Sequence, residues 1–166
     1  MKKTIILLTV LLSIGNVFSQ KNLNKLLKKY NQETIPYIYV DNLKDDIENV
    51  FLLDAREPKE FEVSHLNNAI CVGYDHFDLN KTLEKLPKNK DAKIVVYCSL
   101  GIRSEDIAEK IKTAGYTNVF NLYGGIFEWK NNDNNLANPN NQATDEVHAF
   151  NKDWGKWLKK GTKVYE

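Results

Sequence analysis

Five short apolar runs alternate with stretches of helical spacing, and this alternation restricts the possible folds more than any other feature of the sequence. The runs are of strand length and rich in Val, Ile, Phe and Tyr, and several lack the polar alternation of a half-exposed strand. They occupy residues 36–40, 49–55, 68–72, 93–98 and 118–123. Strands that alternate with helices predict βαβ units, and therefore an α/β fold in which helices cover both faces of a parallel sheet.

The N-terminus has the organisation of a secretory signal peptide. Lys2 and Lys3 precede an apolar run over residues 5–14, and Val17 and Ser19 occupy the small-residue positions of a cleavage site. The apolar run is too short to span a bilayer, so a retained membrane anchor is the weaker alternative. We therefore expect cleavage after Ser19 and export, to the periplasm or out of the cell, without a stable membrane anchor.

The charge of the mature chain argues against nucleic acid as a partner. Removing residues 1–19 removes two of the 23 basic residues, which leaves 21 against 22 acidic residues and a net charge of −1. Domains that bind nucleic acid carry a basic excess that neutralises phosphates. The hydrophobic fraction of 42% and the charged fraction of 27% are those of an ordinary globular domain.

A cysteine at the end of the fourth apolar run has several features of a catalytic loop that binds an anion. Cys98 ends its strand, Gly101 permits a tight turn, and Ser104 has the residue type of a helix N-cap. Backbone N–H groups converge in such a loop, and the positive end of the helix dipole lowers the pKa of the thiol. Glu105 and Asp106, in the first helical turn, reduce the positive potential that an incoming anion meets.

Three segments, in sequence order, resemble the rhodanese superfamily. The segment YCSLGIRS (97–104) resembles its active-site loop, whose pattern is Cys-x-x-Gly-x-Arg followed by Ser or Thr. The segment LLDAREPKEFEVSHLNNAICV (52–72) resembles the family's first signature, and GYTNVFNLYGGIFEW (115–129) resembles the second. The resemblance covers about residues 37–130 and implies a single-domain sulfurtransferase, with a three-layer α/β/α fold around a central five-stranded parallel sheet.

The resemblance also implies roles for individual residues. Cys98 is implied to be the nucleophile that takes up a sulfane sulfur as a persulfide, from a small anionic donor such as thiosulfate, and passes it to a thiol or to cyanide. Arg103 is implied to orient the donor, and Asp54 and Arg56 to brace the loop. This chemistry requires no metal and no cofactor. The substrate-binding residues are implied to be those of the loop: Ser99, Leu100, Gly101, Ile102, Arg103 and Ser104.

Several positions depart from the family pattern. Ser99 stands where members that use thiosulfate often have a basic residue, which weakens the expectation of a preference for thiosulfate. Ser64 replaces a glycine that commonly precedes the histidine, and Asn67 and Asn68 replace a Pro-Gly pair before the third strand. The histidine itself, His65, is expected to be structural, because a cysteine with a lowered pKa needs no general base.

Two other functions remain open from the sequence. Cysteine phosphatases and arsenate reductases use a similar anion cradle, but the phosphatases place five residues between cysteine and arginine, whereas four separate Cys98 from Arg103. The shorter loop between the cysteine and the arginine suits a sulfur atom better than a phosphoryl group. Rhodanese folds also serve as non-catalytic interaction or sulfur-relay modules, although the presence of both Cys98 and Arg103 argues for catalysis.

The second cysteine has a different context from the first. Cys71 lies inside the third apolar run, where a cysteine usually acts as a small core residue. In an exported protein a disulfide is the default expectation for two cysteines. Because Cys98 faces a loop and Cys71 a predicted core, we expect two free thiols instead.

The remaining segments are a lead-in and a tail. Residues 20–35 are a basic lead-in to the domain, which is predicted to span residues 36–130. Residues 131–146 are rich in Asn and are predicted to form a solvated, largely irregular connector. In residues 147–166, several apolar side chains follow helical spacing: Val147, Phe150, Trp154, Trp157 and Leu158. We expect this amphipathic helix to dock on the domain; the alternative is a surface that binds a partner or a membrane.

Overall fold

The computed structural model describes residues 22–165, so the predicted signal peptide lies outside the described residues. The chain divides into two units between residues 32 and 33. The described part of the first unit consists mainly of one helix, α1, over residues 22–30. Nowhere in residues 22–165 is a helix both long and apolar enough to cross a membrane.

A five-stranded parallel sheet forms the centre of the second unit, as the apolar runs predict. Its strands are β1 (Tyr37–Ile38), β2 (Phe51–Asp54), β3 (Ile70–Cys71), β4 (Ile94–Tyr97) and β5 (Val119–Leu122). Their spatial order is β1-β5-β4-β2-β3, and each neighbouring pair is parallel. All four residues of the central strand β4 are fully buried. Both faces of the sheet are therefore covered, which confirms the α/β prediction.

Helices connect successive strands of the sheet, because parallel strands require a long crossover between them, and a further helix follows β5. These helices are α2 (Val40–Asp46), α3 (Pro58–Val63), α4 (Leu79–Lys85), α5 (Arg103–Thr113) and α6 (Gly125–Asn131). The apolar face of α5 packs on the sheet, where Ile107 and Ile111 belong to the same buried cluster as Leu53 and Val96. Each such buried aliphatic side chain contributes roughly 1.5–3 kcal/mol. This packing fixes the start of α5 beside the end of β4.

The N-cap of the helix that follows Cys98 lies two residues earlier than predicted, at Ile102 instead of Ser104. Helix α5 starts at Arg103, its N-cap position is Ile102, and no side chain caps it. Ser104 is fully buried, and its hydroxyl donates to the side-chain oxygen of Asn121 at 2.7 Å. Because Ser104 already lies inside the helix, it is not the N-cap residue, and the prediction for Ser104 was wrong in this respect.

The Asn-rich connector contains more regular structure than predicted. Two short strands, β6 (Leu136–Ala137) and β7 (Ala143–Thr144), pair antiparallel. The backbone of Ala137 also exchanges two hydrogen bonds of 2.9 Å with the backbone of His65. The connector is therefore attached to the segment after α3, and it is largely irregular apart from these short strands and the end of α6.

The prediction of one amphipathic helix in the tail was also wrong. The tail contains β8 (Glu146–His148), the single turn α7 (Lys152–Gly155) and β9 (Thr162–Val164). Strands β8 and β9 pair in parallel. Phe150 has a φ of +64°, which interrupts a right-handed helix at the centre of the predicted segment. Val147 and Leu158 are nonetheless fully buried, so the tail packs against the rest of its unit.

Candidate active site

The Cys98 loop, residues 98–104, joins β4 to α5 at the carboxyl edge of the sheet. Cys98 follows β4 directly and is only 2% exposed. The N–H of Gly101 donates to the Cys98 sulfur at 3.1 Å. Gly101 has a φ of +97°, and a Cβ added there would lie 3.1 Å from the carbonyl oxygen of Leu122. Both the turn and the neighbouring strand therefore favour glycine at this position.

A buried asparagine on β5 holds the loop in place. Asn121 is fully buried, and its side-chain nitrogen donates to the Gly101 carbonyl at 2.8 Å. Its side-chain oxygen accepts the Ser104 hydroxyl at 2.7 Å, and the Ser104 oxygen lies 3.5 Å from the Cys98 sulfur. Asn121 thus fixes the middle and the end of the loop, as buried polar groups with matched partners do.

Gly125 allows α6 to begin directly against the Cys98 loop. The N–H of Ile126 donates to the Cys98 carbonyl at 2.9 Å, and the N–H of Phe127 donates to the Ser99 carbonyl at 3.2 Å. A Cβ added at Gly125 would lie 2.2 Å from the Cys98 carbonyl oxygen, and its φ is +56°. Only glycine permits so close an approach of the helix to the loop.

A buried carboxylate already holds the guanidinium of Arg103. Its Nη1 and Nη2 donate to Oε2 and Oε1 of Glu60 at 2.7 and 2.8 Å. Nη2 also donates to the Ser99 hydroxyl oxygen at 3.1 Å, and that hydroxyl donates to Glu60 at 3.3 Å. This bidentate pair has no net charge. Arg103 therefore lies in the Cys98 loop, but its positive charge is compensated.

Glu60 reaches the loop because α3 begins with a reciprocal cap. Glu57 is the N-cap residue and Glu60 the third residue of the helix, and each side chain accepts the backbone N–H of the other. Burial raises the pKa of Glu60, but the hydrogen bond and the charge of Arg103 outweigh burial and hold the pKa below its usual value. Glu60 consequently stays ionised at neutral pH.

The Cys98 thiol is the more acidic of the two thiols. Burial by itself raises the pKa of Cys98, but the charge of Arg103, the Ser104 hydroxyl and the backbone amides of Ser104 and Leu100 outweigh burial and lower it. Burial raises the pKa of Cys71. Both cysteines are free thiols. At any given pH, therefore, Cys98 is ionised to the greater extent and is the stronger candidate for a nucleophile.

The acidic residues in the first turn of α5 have partners outside the loop. Oε1 of Glu105 accepts the backbone N–H of Thr34 at 3.1 Å. Oδ2 of Asp106 accepts the Tyr74 hydroxyl at 2.5 Å, a bond that raises the pKa of Tyr74 to about 12. These carboxylates attach neighbouring segments to α5.

Asp54 and Arg56, which the sequence resemblance implies as a brace, form a buried ion pair. Both residues are fully buried, and Nη2 of Arg56 lies 2.6 Å from Oδ2 of Asp54. The same nitrogen donates to the Ser64 carbonyl at 2.6 Å, and the guanidinium carbon lies 5.9 Å from the centre of the Tyr97 ring. The pair thus links the end of β2 to the segment after α3, beside the residue that precedes Cys98.

The other departures from the family pattern are accommodated by the backbone. Ser64 has an extended φ of −170°, which needs no glycine, and Asn68 has a φ of +62°, which asparagine tolerates. His65 stacks on Phe61 with ring centres 3.8 Å apart, and its Nδ1 lies 3.1 Å from the Phe61 carbonyl oxygen. These contacts agree with a structural role.

Among residues 22–165, His, Cys, Asp and Glu side chains form no group able to hold a metal ion.

A pocket of about 140 Å³ lies over the Cys98 loop. Residues of the loop line it, including Leu100 and Ile102, which were predicted to bind substrate. Phe150 and Trp154 of the tail also line it, and we call this pair the aromatic wall. Arg103 supplies the one charged side chain among the described residues that line the pocket. The cavity next to Cys98 is therefore largely apolar.

The similarity to known proteins agrees with this geometry. The sequence profile of the rhodanese-like domain matches residues 38–132, which are more than half of the 166 residues. The chain belongs to the rhodanese-like domain family. This finding confirms the resemblance read from the three motifs. The aromatic wall lies beyond the matched region of this rhodanese-like domain.

Curated relatives of the rhodanese-like domain are larger proteins. A tRNA uridine(34) hydroxylase of Erwinia tasmaniensis is 40% identical over 92 residues, which are 54% of this chain and 26% of the relative. The protein of the same name from Salmonella newport is 39% identical over the same shares of both chains. The chain therefore spans about a quarter of the length of the curated relatives it matches.

Solved structures of rhodanese-like proteins share the fold. A rhodanese-related protein from Thermoplasma volcanium has a TM-score of 0.54 and 26% identity, over 61% of this chain and 97% of that one. A thiosulfate sulfurtransferase from Pseudomonas aeruginosa has a TM-score of 0.58 over 84% of this chain and 26% of its own. Its identity of 18% shows the fold alone.

Asn121 and Glu60 are buried polar residues that shape the rhodanese-like loop. The sequence analysis did not identify either of them as a site residue. Asn121 carried a usable signal, because it is a polar residue inside an apolar run, and a buried amide needs partners. Glu60 stands three residues after Glu57, at the spacing of a helix cap, but this spacing does not reveal its contact with Arg103. No local pattern indicated that the tail would reach Cys98.

Proposed function

We propose that this rhodanese-like domain is a sulfurtransferase in which Cys98 carries a sulfane sulfur, as a persulfide, from a small anionic donor to a thiol or cyanide. The observation that carries the proposal is the polar surroundings of the buried sulfur. The Gly101 N–H lies 3.1 Å away and the Ser104 hydroxyl oxygen 3.5 Å away, and the pKa of the thiol is lowered. Such a thiolate displaces a good leaving group without a separate general base.

The first half of the reaction loads Cys98. With thiosulfate as donor, the Cys98 thiolate attacks the outer sulfur, and the bond between the two thiosulfate sulfurs breaks. Sulfite leaves with the bonding electron pair and two negative charges, and the transferred sulfur remains on Cys98 as a persulfide anion. The step balances without an oxidant, a reductant or a proton. The N–H groups of the loop stabilise the anionic sulfur throughout.

The second half of the reaction unloads the sulfur. Cyanide, or the thiolate of an acceptor, attacks the outer sulfur of the persulfide, and the sulfur–sulfur bond breaks. The Cys98 thiolate leaves, so the enzyme returns to its starting state, while thiocyanate or a new persulfide departs. The same features that lower the pKa of Cys98 make it a good leaving group here.

The geometry favours sulfur transfer over the other candidate reactions. Phosphoryl transfer requires positive charge around three equatorial oxygens, whereas the charge of Arg103 is compensated by Glu60. The name of the hydroxylase relatives describes proteins about four times the matched length, and the near-neutral charge of this chain gives no support to a tRNA substrate. A non-catalytic module would not need a cysteine with a lowered pKa.

The proposed activity predicts a mass increase of one sulfur atom when the protein is incubated with thiosulfate, and loss of that sulfur on addition of cyanide. Because the reactive species is the thiolate, the loading rate should fall as the pH drops below the lowered pKa of Cys98 and should be constant above it. Intact-mass spectrometry over a pH series measures both effects. Hydrolysis of a phosphatase substrate in a parallel assay, without any sulfur uptake, would contradict the proposal.

We also propose that the protein acts outside the cytoplasm. The support is the basic, apolar and small-residue sequence of residues 1–19. N-terminal sequencing of the protein from its native host should find Gln20, or a residue next to it, as the first residue. Protein that retains Met1 and stays in the cytoplasm would contradict this proposal without affecting the proposed chemistry.

A further inference from the structure

We propose that the aromatic wall, Phe150 and Trp154, makes the Cys98 pocket select sulfane donors that carry a flat apolar group over small dianions such as thiosulfate. The inference rests on the proposed sulfur transfer at Cys98 and names its class of donor. The wall belongs to the tail, beyond residues 38–132 that match the rhodanese-like domain.

The position of the wall matches that of a substituent on the reacting sulfur. Phe150 and Trp154 line the same pocket of about 140 Å³ as Cys98, Leu100 and Ile102. Pockets for drug-sized ligands measure roughly 300–1,000 Å³, so this one accepts a small compound or the end of a larger one. A donor whose sulfur contacts Cys98 would place its substituent between aliphatic side chains and aromatic rings, which favour a flat apolar group.

The backbone holds Phe150 in an unfavourable conformation. Its φ is +64°, and the N–H of Asn151 donates to the Ala149 carbonyl at 2.8 Å, which closes a tight turn around it. Such a turn is strained for a residue with a bulky side chain. The ring is nevertheless 46% exposed, so burial in the core does not offset the strain. Strain of this kind, at the edge of a pocket next to a reactive cysteine, indicates a functional position.

The segment that carries the wall is firmly anchored. Val147 and Ala149, on the N-terminal side of Phe150, are fully buried, as is Leu158 on the other side. The Asn151 side chain accepts the backbone N–H groups of Asp153 and Trp154 at 3.0 Å each, which fixes the start of α7. The two rings are therefore presented by a rigid support, which lowers the entropic cost of binding a substituent.

The electrostatics of the pocket disfavour a dianion. Glu60 neutralises Arg103, and the Arg103 guanidinium lies 5.3 Å from the centre of the Phe150 ring, which occupies one of its faces. Ser99 adds a hydroxyl where a second cation would help to bind thiosulfate. Moving two negative charges from water into an apolar cavity is costly unless cations balance them. A monoanion with an apolar group loses less hydration and gains contact with the wall.

Thiosulfonates separate the effect of the apolar substituent from the effect of the donor's charge. Their reacting ends are identical, and only the substituent varies. The Cys98 thiolate attacks the outer sulfur of the thiosulfonate, the sulfur–sulfur bond breaks, and a sulfinate leaves with the electron pair. One negative charge leaves on the sulfinate and one remains on the persulfide, so the step balances. We expect the second-order rate of sulfur loading to be about tenfold higher with benzenethiosulfonate than with methanethiosulfonate, the size of effect that apolar contacts give, and lowest with thiosulfate.

Variants of the wall test its role. Phe150→Ala and Trp154→Ala should each reduce the ratio of the benzenethiosulfonate rate to the methanethiosulfonate rate by about three- to tenfold, both rates being measured on the same variant. Phe150→Lys, which places a cation at the pocket, should raise the thiosulfate rate by about tenfold. The control is Phe51→Ala, because Phe51 is 38% exposed and lies outside this pocket. Phe150→Ala decides the test if Trp154→Ala does not fold.

The outcomes distinguish failure of this inference from failure of the proposed function. If the wild type loads sulfur from all donors but shows no preference for the benzene compound, the inference is overturned and the sulfurtransferase proposal stands. The same holds if Phe150→Ala keeps the wild-type preference. If no donor adds sulfur to the wild type, both proposals are overturned.

Discussion

Cys98→Ser should lose all measurable sulfur loading, with no mass increase after incubation with thiosulfate or with a thiosulfonate. A serine hydroxyl has a far higher pKa than a thiol and is not ionised by the features that lower the pKa of Cys98. Serine also has nearly the same shape, and its oxygen can accept the Gly101 N–H that now donates to the sulfur. Intact-mass spectrometry measures the loading, and thermal unfolding should show a transition close to that of the wild type.

The control for this variant is Cys71→Ser. Cys71 is the other free thiol, and burial raises its pKa, so its replacement should leave both sulfur loading and release by cyanide intact. A cyanide-labile sulfur that persists in Cys98→Ser, and disappears in Cys71→Ser, would show that the persulfide forms on the wrong cysteine for the proposed mechanism.

Asp54→Ala should destabilise the domain severely. The substitution leaves the Arg56 guanidinium fully buried, without the carboxylate that now accepts from it at 2.6 Å. Removing one partner of a buried ion pair typically lowers the free energy of unfolding by about 3–5 kcal/mol, because the remaining charge is uncompensated. Urea unfolding, followed by tryptophan fluorescence, measures this change. Sulfur loading should fall in parallel with the folded fraction.

Asp46→Ala is the matched control, because it removes an ion pair of similar length at the surface. Lys93 lies 2.8 Å from Asp46, with both side chains partly exposed. Exposed pairs contribute little to stability, so the midpoint of unfolding should move far less than in Asp54→Ala. Equal shifts for the two variants would mean that the Asp54–Arg56 brace does not stabilise the fold as described.

The features that the sequence predicted correctly depend on neighbouring residues. The strand before Cys98, the turn through Gly101 and the helix after the turn each follow from spacing, burial or turn chemistry within a few positions, although the predicted bounds of the strand and the helix differ from the observed ones by one or two residues. The order of the three motifs then limited the fold to one family. For these reasons the parallel sheet and the position of Cys98 were predictable.

The features that the sequence did not predict depend on contacts between distant segments. Glu60 is 43 residues from the Arg103 that it neutralises, and Asn121 is 20 residues from the Gly101 carbonyl that it binds. The structure of the tail also depends on contacts that its local sequence does not reveal. Its apolar spacing predicts a helix, but pairing of β8 with β9 and the backbone turn at Phe150 override that preference, as tertiary contacts often override local propensity.

The bonds from α6 to the Cys98 loop also determine which way the loop amides face. In a planar trans peptide the carbonyl and the following N–H point in opposite directions. Because the carbonyls of Cys98 and Ser99 are held by α6, the amide protons of Ser99 and Leu100 are turned away from that helix, and the Leu100 amide acts on the Cys98 sulfur. Rotation of either peptide plane would break a hydrogen bond to α6. The orientation is therefore set when the protein folds, and it does not have to be established in each catalytic cycle.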